Sequence, residues 1–282
     1  VQADGTQFWI HDFEFTFGAG ASLDIQETNA LFRDAFAAVW SGQAENDAFN
    51  RLVLLAGLPW RDVALLRAYA RYLKQIRLGF ELPYIASTLV AHADIARELV
   101  RLFRTRFYLA RKLSADDLAD MQGKLEKAIL GALDDVAVLN EDRILRRYLD
   151  LIKATLRTNF YQNDDEGEAR EYLSLKFDPT QIPELPLPRP MFEIFVYSPR
   201  VEGVHLRGGK VARGGLRWSD REEDYRTEVL GLVKAQQVKN AVIVPVGAKG
   251  GFVPRRLPLG GSRDEVQQEA IACYRLFIQG LL

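Results

Sequence analysis

The chain has 282 residues, with 37 Lys+Arg against 38 Asp+Glu, three His, one Cys, 48% hydrophobic and 27% charged residues. That composition excludes disorder, collagen-like repeats and a disulfide-built scaffold, and at roughly 100–200 residues per domain the length suggests about two domains with cores of their own. Cys273 is the single cysteine, so no internal bridge and no Cys-based zinc site can form, and no run of about 18 apolar residues is present. A reducing, cytoplasmic setting with no membrane span is therefore expected. Residues 1–5 lack the basic start and apolar core of a signal peptide. The missing initiator Met, and Leu281-Leu282 closing an apolar helical pattern, lead to the expectation of an internal segment of a longer polypeptide.

In chain order, residues 7–17 alternate aromatic and polar side chains (Phe8, Ile10, Phe13, Phe15, Phe17) and predict a strand. From residue 23 to about 161 the period is helical, with starts marked by Pro59, by Pro83 and by Ser114 with Asp116 and Asp117. One helix is predicted over residues 142–160, where Ile144, Leu145, Tyr148, Leu149, Ile152 and Leu156 share a face and Asn140 is the candidate N-cap. Residues 162–190 are acidic and then proline-rich, which excludes helix and favours an extended connector. Beyond it come strands at 191–197 and 204–207, a helix over 222–239, a buried strand at 241–245, a tight glycine loop at 247–251 and a last helix opened by Ser262 and Glu265 as a capping box. The expected fold class is α+β: a mostly helical N-terminal region, then the start of an α/β, mixed-sheet domain. The expected division is 1–22 as the end of a preceding domain, 23–161 helical, 162–190 linker and 191–282 the first part of a second domain.

Charge is unevenly spread. From Arg200 to Arg256 there are twelve Lys/Arg and six Asp/Glu, and from Val229 to Arg263 there is no acid at all. A site there would favour an anion; a solvated basic face is the plainer alternative. Three features could carry chemistry. In Val244-Pro-Val-Gly-Ala-Lys-Gly-Gly251 glycines flank Lys249, which would allow close backbone approach and a desolvated ammonium able to move a proton, although the Walker spacing fails. Arg213-Gly-Gly-Leu-Arg217 brackets two glycines with guanidinium groups suited to a carboxylate. Lys234 and Lys239 share a helix but lie about 140° apart, so one of them is a surface charge, and Lys239 is the better ligand candidate. His11, His92 and His205 show no ligand spacing, Cys273 reads as a buried inert thiol, and no Gly-x-Gly-x-x-Gly follows a strand.

Together, Arg213-Gly-Gly-Leu-Arg217, the Lys239-Asn-Ala241 junction and Pro245-x-Gly-Ala-Lys-Gly-Gly251 resemble the amino-acid-binding half of glutamate dehydrogenases. Glu141-Asp-Arg-Ile-Leu-Arg-Arg147 and the 191–205 and 238–245 stretches are similar to the large bacterial NAD-specific class, in which a long regulatory region precedes the catalytic domain. The resemblance implies oxidative deamination of L-glutamate to 2-oxoglutarate and ammonium with NAD. It implies Lys249 as the catalytic lysine, Lys239 on the α-carboxylate, Gly214 and Gly215 lining the pocket, and Arg213 where smaller members carry the lysine that grips the distal carboxylate. It also implies allosteric control and a homo-oligomer, with neither nucleic acid nor membrane as partner. Two departures stand out: the lysine loop is one residue shorter, and one residue is missing between Lys239 and Pro245. The family's acid-base aspartate lies further along than this chain reaches, leaving Asp264 in a helix-start position, and the NAD-binding Rossmann domain falls outside the chain. The chain by itself is therefore expected to be inactive. The competing expectation is a non-catalytic allosteric or interaction module with an anion-binding basic loop.

Overall fold

A computed structural model of the chain describes residues 25–108, 113–211, 213–239 and 247–282. The strands expected over 7–17 and 241–245 lie outside those residues. The described part is α+β, with a helical N-terminal part followed by a mixed sheet. The helical part comprises α1 (Ile25–Trp40), α2 (Arg51–Leu55), α3 (Trp60–Gln75), α4 (Leu82–Ala91), α5 (Ala93–Phe107), α6 (Ala115–Asp134) and α7 (Leu139–Ala154). The sheet contains β1 (Thr155–Thr158), β2 (Leu173–Phe177), β3 (Phe192–Tyr197), β4 (Val201–Arg207), β5 (Leu216–Trp218) and β6 (Ala248–Pro254), in the order β1-β2-β3-β4-β6-β5. Helices α8 (Tyr225–Lys239) and α9 (Arg263–Leu281) complete it. The β5·β6 pair is parallel and the other pairs of the sheet are antiparallel.

Helix starts follow their local chemistry. Pro59 precedes α3, and Pro83 lies in the first turn of α4, where its missing N–H costs nothing. The Ser114 hydroxyl accepts from the Asp117 amide at α6, and Ser262 and Glu265 form a reciprocal capping box at α9. Helix α7 differs from the expected 142–160. It begins after Val138, so Asn140 falls in the first turn, and it ends at Ala154. Its C-terminal end is set by partners remote in sequence: the Asp178 amide donates to the Ala154 carbonyl at 2.8 Å, and Thr155 pairs with Phe177 as β1 joins β2. The stretch expected as an extended connector thus contributes β2 to the sheet. The expected loop at 247–251 differs as well, because Ala248 to Gly251 are the first residues of strand β6.

The sheet is covered on both faces. Residues Leu175, Phe177, Phe195, Val204, Leu206 and Val253 face the helical part and α8, while Ile194, Val196, Val201 and Phe252 face α9 through Cys273 and Phe277. Helix α3 is buried nearly all round. Its Tyr72 stacks on Phe177 with ring centroids 4.4 Å apart, and Tyr69 shares a 2.9 Å hydrogen bond with Thr155. Cys273 is fully buried, and burial pushes its thiol up to about 12, with the Glu269 carboxylate adding to the effect. Its role is packing.

Buried ion pairs and hydrogen bonds gather where the helical part meets the sheet. Arg226 of α8 is gripped by Glu193 of β3 through two hydrogen bonds of 2.6 and 2.7 Å, both side chains being completely buried. Gln75 of α3 accepts from the Arg226 amide at 3.1 Å and donates to the Glu222 carbonyl at 2.9 Å. Beside them, Arg71 meets Glu45 at 2.6 Å, Arg67 holds Asp47 bidentately, and Arg255 spans Glu202 and Glu222.

Candidate functional site: a glycine-lined corner at the start of β6

Strand β6 carries Lys249 between two unlike neighbours, antiparallel β4, where Leu206 is opposite Lys249, and parallel β5, where Leu216 is opposite Gly250. The pairing continues upstream of β5. The Ala248 amide donates to the Arg213 carbonyl at 2.8 Å, and the Gly250 amide to the Gly215 carbonyl at 3.3 Å. A Cβ on Gly214 would fall on the Ala248 carbonyl, so no other residue can lie this close to the strand. Gly247 has φ +74°, and a Cβ there would meet the Gln236 side chain at 2.5 Å and the Arg213 carbonyl at 2.8 Å. The structure thereby brings the Arg213-Gly214-Gly215 segment, the last turns of α8 and the Lys249 strand into one corner.

Glycine also explains why 248–251 form a strand. Cβ atoms on Gly250 and Gly251 would press into Leu216 on one face and Val229 of α8 on the other, so their absence lets β6 sit tightly between its neighbours. Strand alternation places Lys249 on the same face as Gly251 and Val253, the face covered by α8. The Lys249 side chain is half-buried and makes no hydrogen bond or ion pair among the described residues. Arg213 is exposed and its guanidinium is equally unpartnered there. Arg217 is not available in the same way, since Glu228 of α8 holds it at 3.0 Å while also accepting from Ser219 at 2.6 Å. Lys234 is exposed on α8, and Lys239 is the last residue of that helix, its side chain lying outside the described atoms.

Two further residues bear on the chemistry. His205 of β4 is buried opposite Gly250, and burial, reinforced by the neighbouring Arg207 cation, lowers its pKa to about 4, so the imidazole is neutral near pH 7; it shares the α9 face of the sheet with Gly250, opposite the face of Lys249. Its sequence context gave no hint of this, because the burial comes from strand pairing. Asp264 lies in the exposed first turn of α9, which packs on the face of the sheet opposite α8, and the structure does not bring it to Lys249. The corner thus carries a guanidinium and an ammonium that are both unpartnered among the described residues, groups whose chemistry suits a carboxylate.

Cofactor fit is a separate matter. β5-α8-β6 is a βαβ crossover, but the turn entering its helix is Ser219-Asp-Arg-Glu-Glu-Asp224, without glycine and rich in acids. A dinucleotide pyrophosphate needs close backbone approach at a helix N-terminus and is repelled by such a turn. This crossover therefore does not fit NAD. Among them no three His, Cys, Asp or Glu side chains converge as metal ligands, and no helix is long and apolar enough to cross a membrane.

Comparison with known families assigns this α+β chain to a class of dehydrogenases. Residues 128–282 match the family described as bacterial NAD-glutamate dehydrogenase, catalytic domain, and residues 44–109 match glutamate dehydrogenase, helical motif 3. The chain belongs to the bacterial NAD-glutamate dehydrogenase family. It is 79% identical over 279 residues to the NAD-specific glutamate dehydrogenase of Pseudomonas aeruginosa, covering 99% of this chain and 17% of that protein. Identity is 58% to the protein of the same name from Halomonas elongata and 49% to that from Mycobacterium tuberculosis, with 100% of this chain covered in both and 17% and 18% of those proteins. The chain thus spans about a sixth of the length of these relatives. The catalytic-domain match begins within α6 and takes in α7, β1 and β2 along with the rest of the sheet.

Proposed function

We propose that this chain supplies the substrate-binding side of an NAD-dependent glutamate dehydrogenase, which converts L-glutamate, NAD and water to 2-oxoglutarate, ammonium and NADH. The observation that carries this reading is the packing of Arg213-Gly214-Gly215 against the Lys249 strand, which puts on adjoining stretches two cations whose side chains have no partner among the described residues. Arg213 binds the distal carboxylate, Lys239 at the end of α8 the α-carboxylate, and Gly214 and Gly215 line the pocket. Lys249 assists attack of water at the α-carbon. NAD is bound by residues beyond this chain, in keeping with the acidic, glycine-free turn at α8, so the chain by itself does not turn over. The complete enzyme works as a cytoplasmic homo-oligomer, with the helical part in a regulatory or linking role.

The test is 2-oxoglutarate- and ammonium-dependent NADH oxidation by the complete enzyme, wild type beside Lys249→Ala. The variant is expected to stay folded and lose about 10²–10⁴ in turnover, the range supplied by a positioned proton-transfer group. Equal rates would make Lys249 a structural residue and reopen the roles of Arg213 and Lys239.

A further inference from the structure

A second basic site lies at the opposite end of β6. A cleft of about 630 Å³ opens where α3 and the residues following α1 meet the 168–173 segment, the β3–β4 turn and the residues following β6. That volume falls in the usual range for a small-ligand site. Four arginines line it: Arg61, Arg170, Arg200 and Arg256. Arg200 is committed to Glu269 by hydrogen bonds of 2.7 and 2.6 Å. The other three have no carboxylate within ion-pair distance among the described residues.

Their donors are largely unspent. A guanidinium has five N–H donors. Arg61 gives one to the Phe160 carbonyl at 3.0 Å and lies over the Phe160 ring, and Arg256 gives one to the Gly42 carbonyl at 3.0 Å. Among the described residues the Arg170 side chain gives none. Burial also pulls the Arg61 guanidinium below its ordinary value, with the neighbouring Asp62 carboxylate opposing the shift. The remaining carboxylates of the cleft, Glu168 and Glu171, are exposed and pair with none of these arginines. Trp60 and Tyr172 supply aromatic walls.

We propose that this cleft binds a small polyanion, with two or more phosphate or carboxylate groups, on the guanidinium groups of Arg61, Arg170 and Arg256. The site is distinct from the Lys249 corner. Arg256 lies seven residues beyond Lys249, roughly 20 Å along an extended chain. A ligand there would touch α3, the 168–173 segment and the sheet together, and so would clamp the helical part to the sheet.

Calorimetric titration of the complete protein tests this, with pyrophosphate in one arm and malonate in the other to separate phosphate from carboxylate preference. Saturable binding is expected in at least one arm. Arg170→Ala and Arg256→Ala should each weaken it about tenfold, the effect of losing one charge-assisted contact, and Arg170→Lys should keep part of the affinity. Lys249→Ala should leave it unchanged, which also keeps this result separate from the fate of the proposed active site. Arg256 is exposed, so its variant remains informative if Arg170→Ala fails to fold. The proposal is overturned by binding indifferent to both arginines, by binding lost in Lys249→Ala, or by no saturation up to roughly 10 mM, where even a millimolar site fills.

Discussion

At the junction of α3 with the sheet, charged side chains are matched and hidden: Arg226 with Glu193, Arg67 with Asp47, Arg71 with Glu45, Arg255 with Glu202. At the β5·β6 corner the reverse holds, and Arg213 and Lys249 have no partner among the described residues. The same residue types do opposite work. A buried guanidinium must be paired or the desolvation cost is prohibitive, and these pairs hold each part's own packing while Arg71 of α3 reaches across to Glu202 of β4 at 3.4 Å. A cation left in contact with water carries no such cost and keeps its donors uncommitted. Glu202 marks the boundary of the first regime: burial raises its pKa, and the Arg255 and Arg71 cations oppose that rise.

The largest test of this contrast is Glu193→Ala, which strands the Arg226 guanidinium in a fully buried site. Urea unfolding of the complete protein should show a loss of about 3–5 kcal/mol in the unit containing the sheet, and a loss below about 1 kcal/mol would remove the pair from its anchoring role.

His205 tests an intermediate case, a buried titratable group whose charged neighbour is the like-signed Arg207. Its pKa falls from the ordinary 6.5 to about 4 on folding, so between those values the unfolded chain binds more protons than the folded one. Stability is therefore complete above about pH 6.5 and declines as the pH falls toward 4, by about 3 kcal/mol at most. His205→Gln should flatten that part of the stability profile, and an unchanged slope would show that other groups govern it.

The smallest effect separates two arginines of one motif. Arg217→Ala breaks a half-exposed pair with Glu228 and should cost about 0.2–1 kcal/mol with little change in KM. Arg213→Ala should leave the unfolding midpoint in place yet raise KM for 2-oxoglutarate about tenfold or more, the worth of a charge-assisted carboxylate contact. Parallel behaviour of the two variants would erase the distinction between paired and unpaired cations.

Much of this was legible in the residues themselves. Helix starts at Pro59, Ser114 and Ser262 rest on groups within a few positions of one another, and the apolar runs that became β3 and β4 carry their own period. The motif pair around Gly214 and Lys249 could be recognised as well, since glycine beside a cation is a local pattern. What the chain order could not supply were partners. Helix α7 stops at Ala154 because Phe177 and Asp178 claim the next residues, and 248–251 extend as a strand because β4 and β5 flank them. Arg217 is spent on Glu228 while Arg213 stays open, and Arg61, Arg170 and Arg256 meet in one cleft from three separate stretches. Caps and periodicity are short-range and are written in consecutive residues, so the sequence by itself determined them. Strand pairing, desolvation and the pairing of charges depend on residues that become neighbours when the chain folds, and those were decided by the tertiary structure.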